Sequence, residues 1–256
     1  MGKLRFRASL WVTGVMLLLL GLFFFLHRSE IYRVIHRIKI TLVTHPYFSV
    51  REMKVLGGRK VGGAEVIAMA GLWRGMNIWR VSPESIETKV KKHPWVKKVL
   101  VRREYPRRVV IEIEEWEPKG IVVLGKLYYA SADGTVFKEV GENENADLPM
   151  ITGIQKSDIV SQAHSTKPRL AEALRLGGHL EKSPNRLSEI HFNQGGEVVL
   201  YPISYPIAFH MGWGDWSNKV RRLRRVLSEW NGKEKHLDSL DLSFRSQVVA
   251  RLREGI

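Results

Sequence analysis

Several groups of residues have types and spacings that invite a chemical reading. Gly120-Ile-Val-Val-Leu-Gly125-Lys126 has the spacing of a phosphate loop, where main-chain N–H groups cradle phosphate and a lysine reaches it. Leu127 stands where Ser or Thr would hold magnesium, and the residues between the glycines are apolar β-formers, so the segment reads as strand and turn. Nine histidines contain no pair four apart on a helix with an intervening Glu, and the chain has no cysteine for a thiolate ligand, disulfide or thiol nucleophile. No serine occupies a Gly-x-Ser-x-Gly elbow. Asp133 precedes Gly134, which suits a turn better than proton transfer, and Asp238 and Asp241 read as strand-edge and turn residues rather than a carboxylate pair. No catalytic residue, cofactor or metal is therefore assigned, and binding remains as the chemistry.

What the chain binds follows from where its charge lies. In 256 residues, 41 Lys and Arg face 26 Asp and Glu, a net charge of +15. Residues 1–26 carry +3, residues 27–120 hold 20 basic against 10 acidic side chains, and residues 121–256 hold 18 against 16. Such a balance suits nucleic acid, since cations neutralise phosphates, but the start of the chain argues otherwise. Residues 8–26 are uncharged and reach about 28 Å as a helix, close to the hydrocarbon thickness of a bilayer. The run ends Leu26-His27-Arg28 rather than in small residues, which favours an uncleaved anchor over a signal peptide. Lys3, Arg5 and Arg7 precede it while Arg28, Arg33, Arg37 and Lys39 follow, so charge alone gives no orientation. The bulk is placed outside the cytoplasm, away from nucleic acid.

Residues 1–7 are then a tail, 8–26 the transmembrane helix and 27–46 a basic, partly amphipathic connector. In residues 47–118 the periods run strand (48–56), helix (64–72), helix from the Ser82-Pro83-Glu84 start, and strands at 96–103 and 107–115. This β-α-α-β-β order predicts an α+β unit with two helices on one face of a three-stranded sheet. Residues 119–256 read as a mainly antiparallel β domain with flanking helices. It has a hairpin about Ser131-Ala-Asp-Gly134, a helix over 168–181, a hairpin about Asn193-Gln-Gly-Gly196, an amphipathic helix from Trp216 to Trp230, and one long last strand over 239–252.

His93-Pro94-Trp95-Val96, Val99-Leu-Val-Arg102, Tyr105-Pro106 and Val109-Val-Ile-Glu-Ile113 resemble the polypeptide-transport-associated (POTRA) module of the FtsQ/DivIB family of bacterial cell-division proteins. Tyr129-Ala-Ser-Ala-Asp-Gly134 with Phe137, Leu148-Pro149-Met-Ile-Thr-Gly153, Lys219 and Leu240-Asp-Leu-Ser-Phe244 are similar to the same family's second domain, so the likeness runs in order along almost the whole chain. Trp116, where the family often has Arg, and the aromatic-rich segment 203–215 depart from the pattern.

The resemblance implies a single-pass inner-membrane protein with its N-terminus in the cytoplasm, acting at the septum as a non-enzymatic scaffold between early and late division proteins. Its implied partners are proteins of the FtsB and FtsL type and other membrane-embedded division proteins. By the resemblance, Phe244, Ser246, Val248, Val249 and Arg251, at the end of the last strand, dock a partner by strand addition. Lys91, Lys92, Lys97, Lys98, Arg102, Arg103, Arg107 and Arg108 form a basic face that is either simply solvated or lies on anionic lipid. The Lys219, Arg221, Arg222, Arg224 and Arg225 side chains are read as the solvated face of the last helix. A polypeptide-binding transport component and, less favoured for want of an acid, base or nucleophile set, a membrane-tethered cell-wall hydrolase are the alternatives.

Overall fold

A computed structural model describes residues 2–144, 146–180, 186–204, 206–230 and 233–253; the side chains of residues 2–13, 15, 24 and 42–44 lie outside the description. The chain divides into two compact units, Met1–Glu114 and Glu115–Ile256.

The first unit opens with α1 (Gly2–Thr44), a single helix of 43 residues. Its sequence has no Pro, and no Gly after Gly21, to interrupt the ladder, so the apolar run and the basic connector are one helix. Among the described residues no helix is long and apolar enough to cross a membrane. The expected span at 8–26 includes residues 8–13, 15 and 24, whose side chains lie outside the described residues.

After a 3₁₀ turn at Pro46–Phe48 come β1 (Glu52–Leu56), α2 (Gly63–Ala70), a second 3₁₀ turn at Ile78–Arg80, α3 (Pro83–Val90), β2 (Val96–Glu104) and β3 (Arg108–Glu115). The strand-helix-helix-strand-strand order is the one the periodicity predicts. The sheet order is β1-β3-β2, with β1 parallel to β3 from Glu52 opposite Arg108 to Leu56 opposite Glu112. β1 is shorter than the alternating pattern suggests because Pro46 starts the 3₁₀ turn and Val50 is drawn into a loop, its N–H donating to the Met76 carbonyl at 2.7 Å. Ser82 caps α3 by accepting from the Ser85 N–H at 3.3 Å, and Val66, Ala70, Ile86 and Val90 bury one face of each helix.

The second unit holds β4 (Pro118–Val123), β5 (Leu127–Ser131), β6 (Val136–Glu139), β7 (Met150–Thr152), α4 (Lys156–Ser161), α5 (Ala163–Leu180), β8 (Leu187–Phe192), β9 (Val198–Pro202), β10 (Ala208–Gly212), α6 (Trp216–Glu229), β11 (Leu237–Asp241) and β12 (Val249–Leu252). These strands form one nine-stranded sheet in the order β12-β11-β10-β9-β8-β7-β4-β5-β6. Most neighbours are antiparallel, but β4–β7, β7–β8 and β10–β11 are parallel, so the sheet is mixed. Cross-strand register aligns Leu240, Phe209, Leu200, Ile190, Ile151 and Val122 in one row over six strands. All six are fully buried, in a core completed by Leu170, Ala173, Leu176 and Leu180 of α5 and Val220, Leu223 and Leu227 of α6. Each such side chain contributes about 1.5–3 kcal/mol by burial, so this row is what seats both helices on one sheet face.

Three expectations are corrected. The long strand over 239–252 is two strands: β11 ends at Asp241, residues 242–248 turn, and β12 returns antiparallel beside it, with Asp241 opposite Val249. The helix expected from Pro168 begins at Ala163, with Pro168 inside it, and its expected end at residue 181 lies outside the described residues. α4 and β10 are elements that the periodicity did not predict.

Candidate partner-binding surfaces

β12 is the outermost strand at one end of the nine-stranded sheet, and all four of its residues are exposed. Its register on β11 puts Ala250 beside Leu240 on the helix-bearing side and Val249 and Arg251, beside Asp241 and Ser239, on the other. Val249 is 45% exposed and Leu252 58%, which is unusual for apolar residues on a strand whose outer edge has no neighbouring strand among the described residues. Of the other residues expected here, Phe244 and Ser246 lie exposed on the turn, while Val248 is partly buried against the core. Turn and strand together bring all five onto one corner of the sheet.

The turn is held from α6. Arg222 Nη1 donates to the carbonyls of Phe244 at 2.8 Å and Gln247 at 3.0 Å, and its Nη2 to that of Leu242 at 3.4 Å. The Asp241 carboxylate accepts from the Ser243 N–H at 2.8 Å, and Leu242 N–H donates to the His210 carbonyl at 2.8 Å. Arg222 Nε is buried without a partner, so the guanidinium is placed for the carbonyls it reaches rather than for solvent. Beyond the strand, Arg253 donates to the Pro206 carbonyl at 2.8 Å.

Lys219 likewise departs from the solvated face on which the sequence puts it. It is 5% exposed, and its Nζ donates to the carbonyls of Met211 at 2.7 Å and Trp213 at 3.0 Å. Burial, with a smaller contribution from the Arg222 charge, pushes its pKa down. Arg221 and Arg225 are exposed as expected, and exposed Arg224 donates to the His179 carbonyl at 2.9 Å. Helical spacing placed Lys219 between Trp216 and Val220 on the buried arc, a signal that the cationic side chain obscured.

On the first unit the basic face is largely engaged. Lys97 pairs with Glu114 at 2.6 Å, Arg102 with Glu112, and Arg108 with Glu52 at 2.9 Å and Glu104 at 3.3 Å. Arg103 donates to the Val81 carbonyl at 3.4 Å, and Arg107 to that of Tyr47 at 2.9 Å while lying over the Tyr47 ring. Lys91, Lys92 and Lys98 are exposed. Sequence reasoning also missed a chain of aromatic contacts beside this face, Tyr47 to Phe48, Phe48 to Trp79 and Trp79 to Tyr105, with ring centroids 5.2, 5.8 and 4.8 Å apart.

The arrangement nearest to a catalytic set lies on the sheet face away from the helices. Thr152 Oγ1 lies 2.6 Å from His191 Nδ1 and also bonds Glu189. A nucleophilic triad needs the acid to orient the imidazole from the nitrogen opposite the hydroxyl. Here carboxylate and imidazole converge on the same hydroxyl, with Glu189 3.7 Å from that same Nδ1, so the cluster braces β7 against β8. Asp133 serves its turn: its carboxylate accepts from Ser131 Oγ at 2.5 Å and from the Thr135 N–H at 3.2 Å. Burial opposes its ionisation, but bonds from Ser131, Lys167 and Thr135 outweigh that and hold the carboxyl well below the usual carboxylate range. Among the described residues, no three His, Asp or Glu side chains are grouped to hold a metal ion.

Known families match both units. The FtsQ-type POTRA domain matches residues 48–116, and the C-terminal domain of cell division protein FtsQ/DivIB matches residues 121–243. The second match ends before Phe244, so the β12 corner lies beyond it. The chain is 31% identical over 209 residues to cell division protein FtsQ of Geotalea daltonii, covering 80% of this chain and 76% of that protein. It is 28% identical over 218 residues to FtsQ of Syntrophotalea carbinolica, covering 84% and 77%. To cell division protein DivIB of Geobacillus kaustophilus it is 24% identical over 162 residues, covering 61% and 59%. With both domains matched in order and a relative above 30% identity along most of both chains, the protein belongs to the FtsQ/DivIB family of cell-division proteins.

Proposed function

We propose that the protein is a non-enzymatic scaffold of the division septum. Residues 8–26 cross the inner membrane with the N-terminus in the cytoplasm, and residues 47–256 stand outside it. The uncharged run is long enough to span. Within it, described side chains such as Leu17 and Phe25 are 64% and 63% exposed, so the protein itself does not shelter them from water. Confinement to the membrane plane raises the effective concentration of two separate surfaces, which is how a protein without catalytic groups promotes assembly.

The observation that carries the binding half of this reading is β12: an apolar, exposed edge strand held at its turn by Arg222. Its free edge offers main-chain donors and acceptors to a strand from the coiled-coil partners of the FtsB and FtsL type, with Val249 and Leu252 supplying apolar contact and Phe244 a neighbouring anchor. The first unit meets other membrane-embedded division proteins. Its basic face contributes less to lipid attraction than its charge count suggests, because Lys97, Arg102 and Arg108 already face carboxylates.

The test uses the full chain in nanodiscs and a purified FtsB–FtsL-type pair. Truncation after Phe244 is expected to leave a folded protein with the same thermal transition for the first unit but no capture of the pair. Unchanged capture would overturn strand addition.

A further inference from the structure

Residues 27–44 are unaccounted for by that reading, yet they carry a pattern of their own. Ile31, Ile35 and Ile38 recur at spacings of four and three, and Leu42 continues the series in sequence. This alternation is the seam of a left-handed coiled coil, which needs an apolar residue every 3.5 positions on average. Val34 widens the stripe. Ile35 and Ile38 are 55% and 56% exposed and Val34 is 55% exposed, while Ile31 is half-buried, so among the described residues most of the stripe is left uncovered. At 100° per residue, Arg28 and Lys39 fall together along one edge of the stripe, while Glu30 and Arg37 flank the other. The segment holds four Arg and Lys against one Glu, and Glu30 is already paired with Arg33.

Two occupants of such a stripe are disfavoured by what surrounds it. A basic amphipathic helix can lie in the plane of an anionic membrane, but that requires a break after the spanning segment, and α1 runs unbroken from Gly2 to Thr44. If residues 8–26 span, residues 27–44 extend about 27 Å past the apolar run. A second parallel copy would set Arg28, which lies seven residues before Ile35 and so in the same register of the seam, against its own counterpart.

We propose that residues 27–44 form one strand of a coiled coil with an acidic partner helix, whose apolar residues pack on Ile31, Ile35 and Ile38 and whose carboxylates face Arg28 and Lys39. The proposal rests on the membrane-spanning reading only for the claim that this segment stands clear of the bilayer. It places a docking site on α1, ahead of the first strand in sequence and independent of the β12 edge.

The full chain is reconstituted in neutral phosphatidylcholine nanodiscs and titrated with a synthetic helix carrying Ile and Leu at the seam and Glu on both flanks; a matched helix with Lys on the flanks is the control. The acidic helix is expected to bind, and the basic one to bind at least about tenfold more weakly. Ile35→Asn with Ile38→Asn should weaken the acidic helix by about tenfold or more, and Ile40→Asn, on the far side, should leave it unchanged. Arg28→Glu with Lys39→Glu should reverse the preference. Equal binding of the two helices, or insensitivity to the seam change, overturns the proposal, as does Ile35 burial in anionic nanodiscs without peptide or self-association of the chain through the same stripe. Alkaline extraction of membranes reports separately on the span: a chain that washes off defeats the membrane reading, whereas a retained chain that ignores the acidic helix defeats only this one.

Discussion

Arg222 and Phe244 are joined by a 2.8 Å bond from guanidinium Nη1 to main-chain carbonyl, across a sequence gap of 22 residues. That bond and its companions to Gln247 and Leu242 tie the edge of the sheet to the helix packed on its face. Arg222 therefore acts on the partner site as a positioning residue. Arg222→Ala should leave α6 folded on its Val220, Leu223 and Leu227 stripe but release the turn, speeding amide exchange of residues 249–252 by about tenfold or more while core amides of β8 and β9 are unchanged. Arg222→Lys, which cannot reach three carbonyls with one ammonium, should recover only part of the protection. Uniform loss of protection across the sheet would instead mark Arg222 as an ordinary stability residue.

This corner also shows where sequence stops being legible. The order of elements in the first unit follows from period and capping alone, because Ser82-Pro83-Glu84 and the alternating runs on either side of Pro106 are local signals. The edge position of β12 is not local. Nothing in 239–252 announces a reversal, since Leu242, Phe244 and Val248 continue the apolar spacing across the turn. The break is imposed from α6, whose guanidinium gathers carbonyls from residues 242–247. Lys219 is hard to place from sequence for a related reason: its charge argues for solvent, whereas the Met211 and Trp213 carbonyls accept from it on the buried side. The parallel pairs among β4, β7 and β8 depend on long connections through helices and were equally invisible to period counting.

Lys219 should therefore behave as a core residue. Lys219→Met keeps most of the apolar stem but leaves the Met211 and Trp213 carbonyls without their donor, at a cost of about 2–4 kcal/mol for two unsatisfied acceptors. Arg221→Met, two residues along and on the exposed side, should change stability by less than about 0.5 kcal/mol. Urea unfolding of the pair measures the difference, and equal effects would return Lys219 to the surface face.

The Asp133-Gly134 turn predicts a dependence on acid. Because the folded carboxyl is held below its ordinary value, its contribution is complete above pH of about 4 and disappears as pH falls toward the folded value. Asp133→Asn should thus be less stable than the parent at neutral pH, by about 1 kcal/mol for a half-exposed group, with the gap between the two melting curves narrowing steadily as pH falls below about 4. Gly134 sits at φ 79°, and a Cβ there would come within 2.1 Å of the Lys167 carbonyl of α5. Gly134→Ala should for that reason destabilise at every pH, so a pH-independent gap separates packing from charge.

The carboxylates on the sheet of the first unit set how much positive charge remains for an anionic surface. Lys97 and Arg102 face Glu114 and Glu112, and the Lys97 bond holds the Glu114 carboxyl below its usual range. Exposed pairs add little to stability, and Glu112→Gln with Glu114→Gln should shift the unfolding midpoint by only a few tenths of a kcal/mol. The same change uncovers two cations beside Lys98, each worth about 1 kcal/mol near an anionic membrane. Full-chain nanodiscs bearing the double substitution should therefore capture phosphatidylglycerol vesicles more tightly than the parent at low salt, by about thirtyfold, and lose the gain near 0.5 M salt as the Debye length shortens. A parent that already binds as tightly as the substituted chain would mean that the paired face is available to lipid without help, restoring the membrane-surface role that the ion pairs argue against.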